Sequence, residues 1–283
     1  LKKSLKRFWV LRRFFIKNSF DYIIDFRVKR FQIQEIIIAK YIYRAPLIVT
    51  IHSYMIDLYF PINKVLANWI YSNCYKIITV SDGIKKKLLS NFNYSNIETI
   101  YNPIDIKFIE KSSREDLNFD FKYILAVGRM QDGIKQFDEL IESYSKSELP
   151  MKDIRLVILG DGILKNQLVS LVKSLKLENK IYFEGKVKNP FKYYTNTLYT
   201  VLSSKHEGFP MVLIESLACG TPVISFDCPS GPSEIIINNE NGILVENQNF
   251  DQLILAMNEM IENKELYLHC KQNAKSSVEK SCL

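Results

Sequence analysis

Glu207-Gly-Phe-Pro-Met-Val-Leu-Ile-Glu215-Ser-Leu-Ala-Cys-Gly-Thr-Pro-Val223 decides how this chain reads. An apolar run, Leu198 to Leu202, precedes it and has the length and composition of a buried β-strand. Gly208 and Pro210 then open a loop. An apolar helix follows and stops at Gly220, a residue that ends helices, with Pro222 barring continuation. The stretch predicts strand, loop and helix. In a parallel α/β sheet, the carboxyl end of a strand and the next helix N-terminus form an anion site, because backbone N–H groups converge there. Glu207 stands at the strand–loop edge and Glu215 on the helix, where a carboxylate can accept hydrogen bonds from a ligand's hydroxyls.

Outward from that stretch, strands alternate with helices in both directions. LIVTIHS (47–53), KIITVSD (76–82), YILAVGR (123–129), RLVILGDG (155–162), KIYFEG (180–185), PVISFD (222–227) and GILVE (242–246) read as strands. Between them lie helical patterns such as NQLVSLVKSL (166–175), with apolar residues at three- and four-residue spacing. Ser81 and Asp82 form an N-cap signal, and Lys135 opens the helix QFDELIESYS (136–145). Such alternation predicts parallel sheets covered on both faces. The polar stretch EKSSREDLNFD (110–120) reads as a linker. It divides the chain into domains 1–115 and 116–283.

The 283 residues carry a net charge of +7, unevenly placed. Residues 1–117 hold 20 Lys and Arg against 10 acids, and residues 118–283 hold 18 against 21. Basicity belongs to the first half and calls for an anionic partner there. Residues 1–17 alone hold seven cations and no acid, with Leu1, Leu5, Phe8, Trp9 and Phe15 near helical spacing. A basic helix with bulky aromatics suits an anionic membrane surface. It equally suits a helix packed on its own domain with its charges in water. Nucleic acid is not an expected partner, because no aromatic platform accompanies the charge. The five cysteines are odd in number and lack C-x-x-C spacing, so free thiols in a reducing cytoplasm are expected. No run reaches the ~18 apolar residues of a membrane span.

Several strand ends of the second half offer groups to one edge: Arg129, Gly160-Asp161-Gly162, Gly185 and Glu207 to Met211. Arg129 and Lys135 flank the loop after that half's first strand, and a pair of cations there suits a diphosphate. They could instead pair with Asp132 and Asp138. Glu207 alone could be a surface acid, and Glu215 an acid favoured by the helix dipole. No D-x-D motif occurs, so no metal is expected and the cations would have to stabilise a leaving pyrophosphate. Glu215 is placed for a ribose diol. His52 ends a strand, where a lone histidine is more often structural.

These pieces, in their order, resemble the GT-B retaining glycosyltransferases of the group 1, or family 4, class. The matching segments run from VSDGIKKKL (80–88) and IYNPID (100–105) through AVGRMQDGIKQFDELIESYS (126–145), LVILGDG (156–162) and IYFEGKVKN (181–189). They end in SSKHEGFPMVLIESLACGTPVISFDCPSGPSEII (203–236) and NENGILV (239–245). The resemblance implies two Rossmann-like domains. It implies that Glu215 grips the nucleotide ribose and that Glu207 lies against the donor sugar. It further implies that Gly208, Phe209 and Met211 present amides to the donor, and that Arg129 and Lys135 clamp the pyrophosphate. Val187 would lie in the loop receiving the base, and His52 would reach the reaction centre. The donor would be a UDP- or GDP-sugar and the acceptor a glycan or lipid-linked sugar. The setting would be cytoplasmic, peripheral on the membrane face, with no cofactor. The family's first strand and glycine-rich loop find no match in residues 1–20, so the N-terminal domain is expected to be incomplete. That leaves a non-catalytic donor-binding homologue, or a GT-B relative such as a nucleotide-sugar epimerase, as the alternatives.

Overall fold

The computed structural model describes residues 2–279 apart from Arg30 and Ile62. It divides into two compact units, Leu1–Tyr101 and Asn102–Leu283. In each, the named strands pair in parallel.

The first unit contains α1 (Lys2–Lys17), β1 (Ile23–Asp25), α2 (Gln32–Ile37), β2 (Leu47–Ile51), α3 (Lys64–Tyr71), β3 (Lys76–Thr79), α4 (Asp82–Asn91) and β4 (Ile97–Thr99). Its sheet runs β1-β2-β3-β4. A π-helical stretch, Ile38–Ile42, continues α2. The Asn63 and Ser81 side chains accept from Leu66 and Ile84 N–H, each satisfying an amide that the first turn leaves open. Ser81 thus caps α4 as its sequence predicts.

The second unit begins with α5 (Ile106–Ser112). It continues through β5 (Tyr123–Val127), α6 (Phe137–Lys146), β6 (Arg155–Leu159), α7 (Lys165–Ser174), β7 (Ile181–Gly185), α8 (Phe191–Asn196) and β8 (Thr200–Leu202). It ends with α9 (Met211–Ala218), β9 (Val223–Phe226), α10 (Pro232–Ile235), β10 (Gly242–Val245), α11 (Phe250–Glu262) and α12 (Lys264–Glu279). The sheet order is β10-β9-β8-β5-β6-β7. Counted within the unit, this is the doubly wound order, which reverses between β5 and β8.

Side chains of β5 alternate between two buried faces. Ile124 and Ala126 join a core with α6, α7 and α11, while Tyr123 and Leu125 join one with Tyr193 and Tyr194 of α8. Burial on both faces explains why these strands read as unbroken apolar runs. A third cluster locks α9, through Leu213, Ile214 and Leu217, against Ala274 and Val278 of α12. Burial of each such aliphatic side chain stabilises by roughly 1.5–3 kcal/mol. α9 ends in a Schellman arrangement: Gly220 N–H bonds Leu217 O, Thr221 N–H bonds Ser216 O, and Gly220 takes φ +75°.

The sequence places the linker at 110–120 and ends the first domain at residue 115, whereas residues 102–115 belong to the second unit. Asp105 caps α5 by accepting from Phe108 N–H at 2.9 Å, Phe108 meets Phe191 edge-on, and Asn189 donates to Ser112 O. Only Ile109 of α5 is buried, so the helix has no core-facing stripe that spacing could announce.

Candidate functional site

The two loops that leave the sheet at its order reversal are tied to each other. β5 runs into Gly128 and Arg129, and β8 runs into the loop ending at Glu207. Lys205 N–H bonds Ile134 O at 2.9 Å, and Ser203 Oγ donates to Lys135 O at 2.8 Å. Gln136 is left-handed, with φ +48°, so α6 starts at Phe137 and Lys135 belongs to the loop before it. The turn brings Lys135 back to Gly128, just past the end of β5. Its stem lies over Gly128, where a Cβ would meet Lys135 Cγ at 3.0 Å. Its Nζ donates to Glu207 Oε1 at 2.6 Å, with the two side chains 21% and 12% exposed. At that burial a 2.6 Å contact is a charge-assisted bond with limited screening by water. Lys135 therefore pairs with Glu207, and neither Asp132 nor Asp138 is its partner.

From Glu207 onward the loop is clamped from below. Glu207 N–H bonds Pro229 O, and Ser230 Oγ donates to Gly208 O at 2.7 Å. Gly231 makes the close approach possible: its φ is +101°, and a Cβ there would sit 2.4 Å from Pro210 Cδ. Gly208, Phe209 and Met211 thus lie on a braced turn leading into α9. Pro210, the N-cap, supplies no side-chain cap, and Leu213 N–H closes the first turn on Pro210 O. The helix N-terminus carries the partial positive charge of its amide groups.

Glu215 lies on the second turn of α9. The phenol of Tyr194, fully buried on α8, donates to its Oε2 at 3.0 Å. Burial raises the Glu215 pKa above the ordinary carboxylate value, and the Tyr194 hydrogen bond opposes that rise. Near Glu207 the buried Cys228 thiol is pushed up to about 12, first by burial and then by the carboxylate's charge, which keeps it protonated. Among the described residues the cysteines are free thiols; Cys282 lies outside them. No cluster of potential metal ligands occurs among the described residues.

Arg129 is exposed at the mouth of a cleft of about 770 Å³ lined by Gly128, Gly160, Asp161, Val187 and Pro190 among others. The cleft floor is tight because Gly160, at φ +128°, lets β6 lie on Gly128 O, which a Cβ would overlap. Arg129 and Lys135 also share an adjoining pocket of about 180 Å³. Arg129, Lys135, Val187 and the 207–215 segment therefore belong to one edge of one sheet, although Glu207 and Glu215 line neither cavity. His52 belongs to the first unit, at the end of β2. Its Nε2 lies 3.0 Å from Thr50 Oγ1 and its ring packs beside Phe26, and partial burial lowers its pKa.

Residues that the motif reading passed over hold this site. Tyr194 sits on a six-residue helix where an aromatic has the look of any core residue. The Ser230-Gly231 turn was legible only as a turn, from the Ser-Gly pair set between Pro229 and Pro232.

The family model described as glycosyl transferases group 1 matches residues 108–277, and that of Glycosyltransferase Family 4 matches residues 1–108. A Campylobacter jejuni protein named N-acetylgalactosamine-N,N'-diacetylbacillosaminyl-diphospho-undecaprenol 4-alpha-N-acetylgalactosaminyltransferase is 37% identical over 217 residues, 76% of this chain and 58% of that protein. The chain spans about half to three-fifths of the length of the curated relatives it matches. Among solved structures, Anabaena HepE in complex with UDP superposes with a TM-score of 0.78 at 19% identity, over 98% of this chain and 77% of that one. A Staphylococcus aureus TarM variant, in complex with fondaparinux, alpha-GlcNAc-glycerol and UDP, gives 0.72 at 22% identity, over 86% and 49%.

Proposed function

The chain belongs to the glycosyl transferases group 1 family, and from that premise we propose that it moves a hexose or N-acetylhexosamine from a nucleoside diphosphate sugar to a glycan or lipid-linked acceptor. One observation carries the reading. At the sheet's order reversal, the Lys135–Glu207 pair, the braced Gly208–Met211 turn and the N-terminus of α9 meet at one edge, with Arg129 beside them. The donor diphosphate takes Arg129 as a planar fork and Lys135 as a point charge. Glu207 meets the sugar, Glu215 the ribose, and the cleft beside Val187 the base. UDP in HepE and the acetamido sugar in the Campylobacter relative's name support a UDP–N-acetylhexosamine donor and a lipid-linked acceptor. GDP is the second nucleotide to test.

The reaction proceeds with retention and without a metal. The C1–O bond to phosphate breaks, and the bond from C1 to the acceptor oxygen forms on the same face. The departing phosphate takes the acceptor's proton. Arg129 and Lys135 stabilise the charge developing on that phosphate. His52, carried over by the resemblance, addresses the donor sugar.

The first unit supports a peripheral membrane setting. On α1, Trp9, Val10 and Phe14 are at least half exposed, and Lys6, Arg7, Val10, Leu11 and Phe14 line a shallow groove. Leu1 and the side chain of Leu5 lie outside the described residues. No described helix is long and apolar enough to cross a membrane. Flotation with vesicles containing anionic lipid, against neutral vesicles, tests this placement.

The site is tested by calorimetry with UDP- and GDP-sugars and by transfer assays, on the wild-type chain and on Glu215→Ala and Arg129→Ala. Weaker but measurable nucleotide binding is expected in both variants. Intact binding and turnover in both would show the site to be wrongly assigned. Binding without transfer would point to a donor-binding homologue, and an isomerised donor to an epimerase.

A further inference from the structure

Glu215 is held by a neutral side-chain donor. Tyr194 Oη donates to Oε2 at 3.0 Å, and Tyr194 itself has no exposed surface. The tyrosine is fixed at its other end too. Its backbone carbonyl accepts from Thr221 Oγ1 at 2.6 Å, and Thr221 is the residue whose N–H completes the Schellman end of α9. α8 and α9 are thus stapled twice through one residue, once at the carboxylate and once at the end of the helix that bears it. A phenol so placed has two consequences. It occupies one carboxylate oxygen from the protein side. It also removes rotational freedom that a flexible side chain would otherwise lose only on binding.

We propose that Tyr194 is a positioning residue for the donor: by holding Oε2 of Glu215, it presents the carboxylate to the ribose diol in one orientation. The inference rests on the assignment of Glu215 to the ribose given above. Charge enters as support. Burial raises the Glu215 pKa and the Tyr194 hydrogen bond counters it, so the phenol also favours the ionised form that accepts from two hydroxyls. The titratable groups interacting with this carboxylate are Tyr194, whose own pKa is raised well above its ordinary value, and the Cys219 thiol, pushed up to about 11, chiefly by burial in each case. Both stay protonated near neutrality.

The test is calorimetric titration of the full chain with UDP and GDP, in wild type, Tyr194→Phe, Glu215→Ala and the double variant. Tyr194→Phe should weaken binding roughly tenfold, the scale of one hydrogen bond to a charged group. The loss should fall within twofold for the 2′,3′-dideoxy nucleotides, which lack the diol. In the Glu215→Ala background, Tyr194→Phe should cost nothing further. The acid limb of UDP binding should move to higher pH in Tyr194→Phe, since Glu215 then protonates more readily. Where transfer is measured, KM for the donor should rise with kcat kept. A Tyr194→Phe loss equal for ribo and dideoxy nucleotides, or additive with Glu215→Ala, assigns Tyr194 to the fold alone and overturns the inference. So does wild-type affinity in Tyr194→Phe while Glu215→Ala binds weakly. If Glu215→Ala itself keeps full affinity, or wild type binds neither nucleotide, the ribose assignment fails and takes this inference with it.

Discussion

Glu207 and Glu215 are eight residues apart on one loop and helix, and the protein holds them by opposite means. Glu207 is paired with a cation, Lys135, at the rim of the sheet. Glu215 is held by a neutral phenol, and burial raises its pKa. An ion pair keeps both charges available for exchange with an incoming ligand, since Lys135 can turn to a phosphate as Glu207 turns to hydroxyls. A carboxylate on a neutral donor retains its full charge but at a folding cost, because a phenol does not neutralise it. The comparison separates a group suited to rearrangement from one suited to a fixed grip.

Both means depend on the clamp beneath the loop, so the largest effect is expected there. Gly231→Val forces a β-branched residue to φ +101° and drives its Cβ into Pro210. Strain and overpacking together should cost about 3–5 kcal/mol, read in urea unfolding, and nucleotide binding should disappear at both carboxylates. A Gly231→Val chain with wild-type stability would mean that the loop is not braced as described.

Removal of the cation separates the two ends. Lys135→Met leaves the charge of Glu207 without its partner and should weaken UDP binding by about 2 kcal/mol, roughly thirtyfold. Its melting temperature should fall as well. Adding Glu207→Gln should restore the melting temperature while binding stays weak, because the penalty is the unpaired charge and the function is the cation. Recovery of binding in the double variant would contradict the phosphate role of Lys135.

The smallest effect sharpens the Glu215 side. Its folded-state pKa lies above the unfolded one, so the folded chain holds the proton more tightly and stability falls as pH rises through that window. Glu215→Gln removes this loss. Its melting temperature should exceed that of wild type near pH 8, with the gap closing below the ordinary carboxylate range. Donor binding should weaken in the same variant. Gain in stability with loss of grip is the pattern expected of a residue kept for function.

Most of the fold was legible from local pattern. Strand runs and the caps at Ser81 and Gly220 lie where the local pattern puts them, because two-faced burial and capping leave marks in neighbouring residues. α5 did not, since a helix with one buried residue has no periodic stripe to read. Helix α6 begins after Lys135 because Gln136 adopts a left-handed backbone that no spacing announces.

By itself, then, the sequence determined two α/β units, the strand–loop–helix edge with its two acids, the two cations, and the family to which they belong. These follow from chemistry within a few residues, or from the order of segments along the chain. Tertiary structure alone decided who holds whom: Lys135 on Glu207 across 72 residues of chain, Tyr194 on Glu215 across 21, and Ser230 on Gly208 across 22. Contacts of that kind depend on strand order and loop path, and a lysine, a tyrosine and a serine carry no local mark of the partner that the fold will bring them.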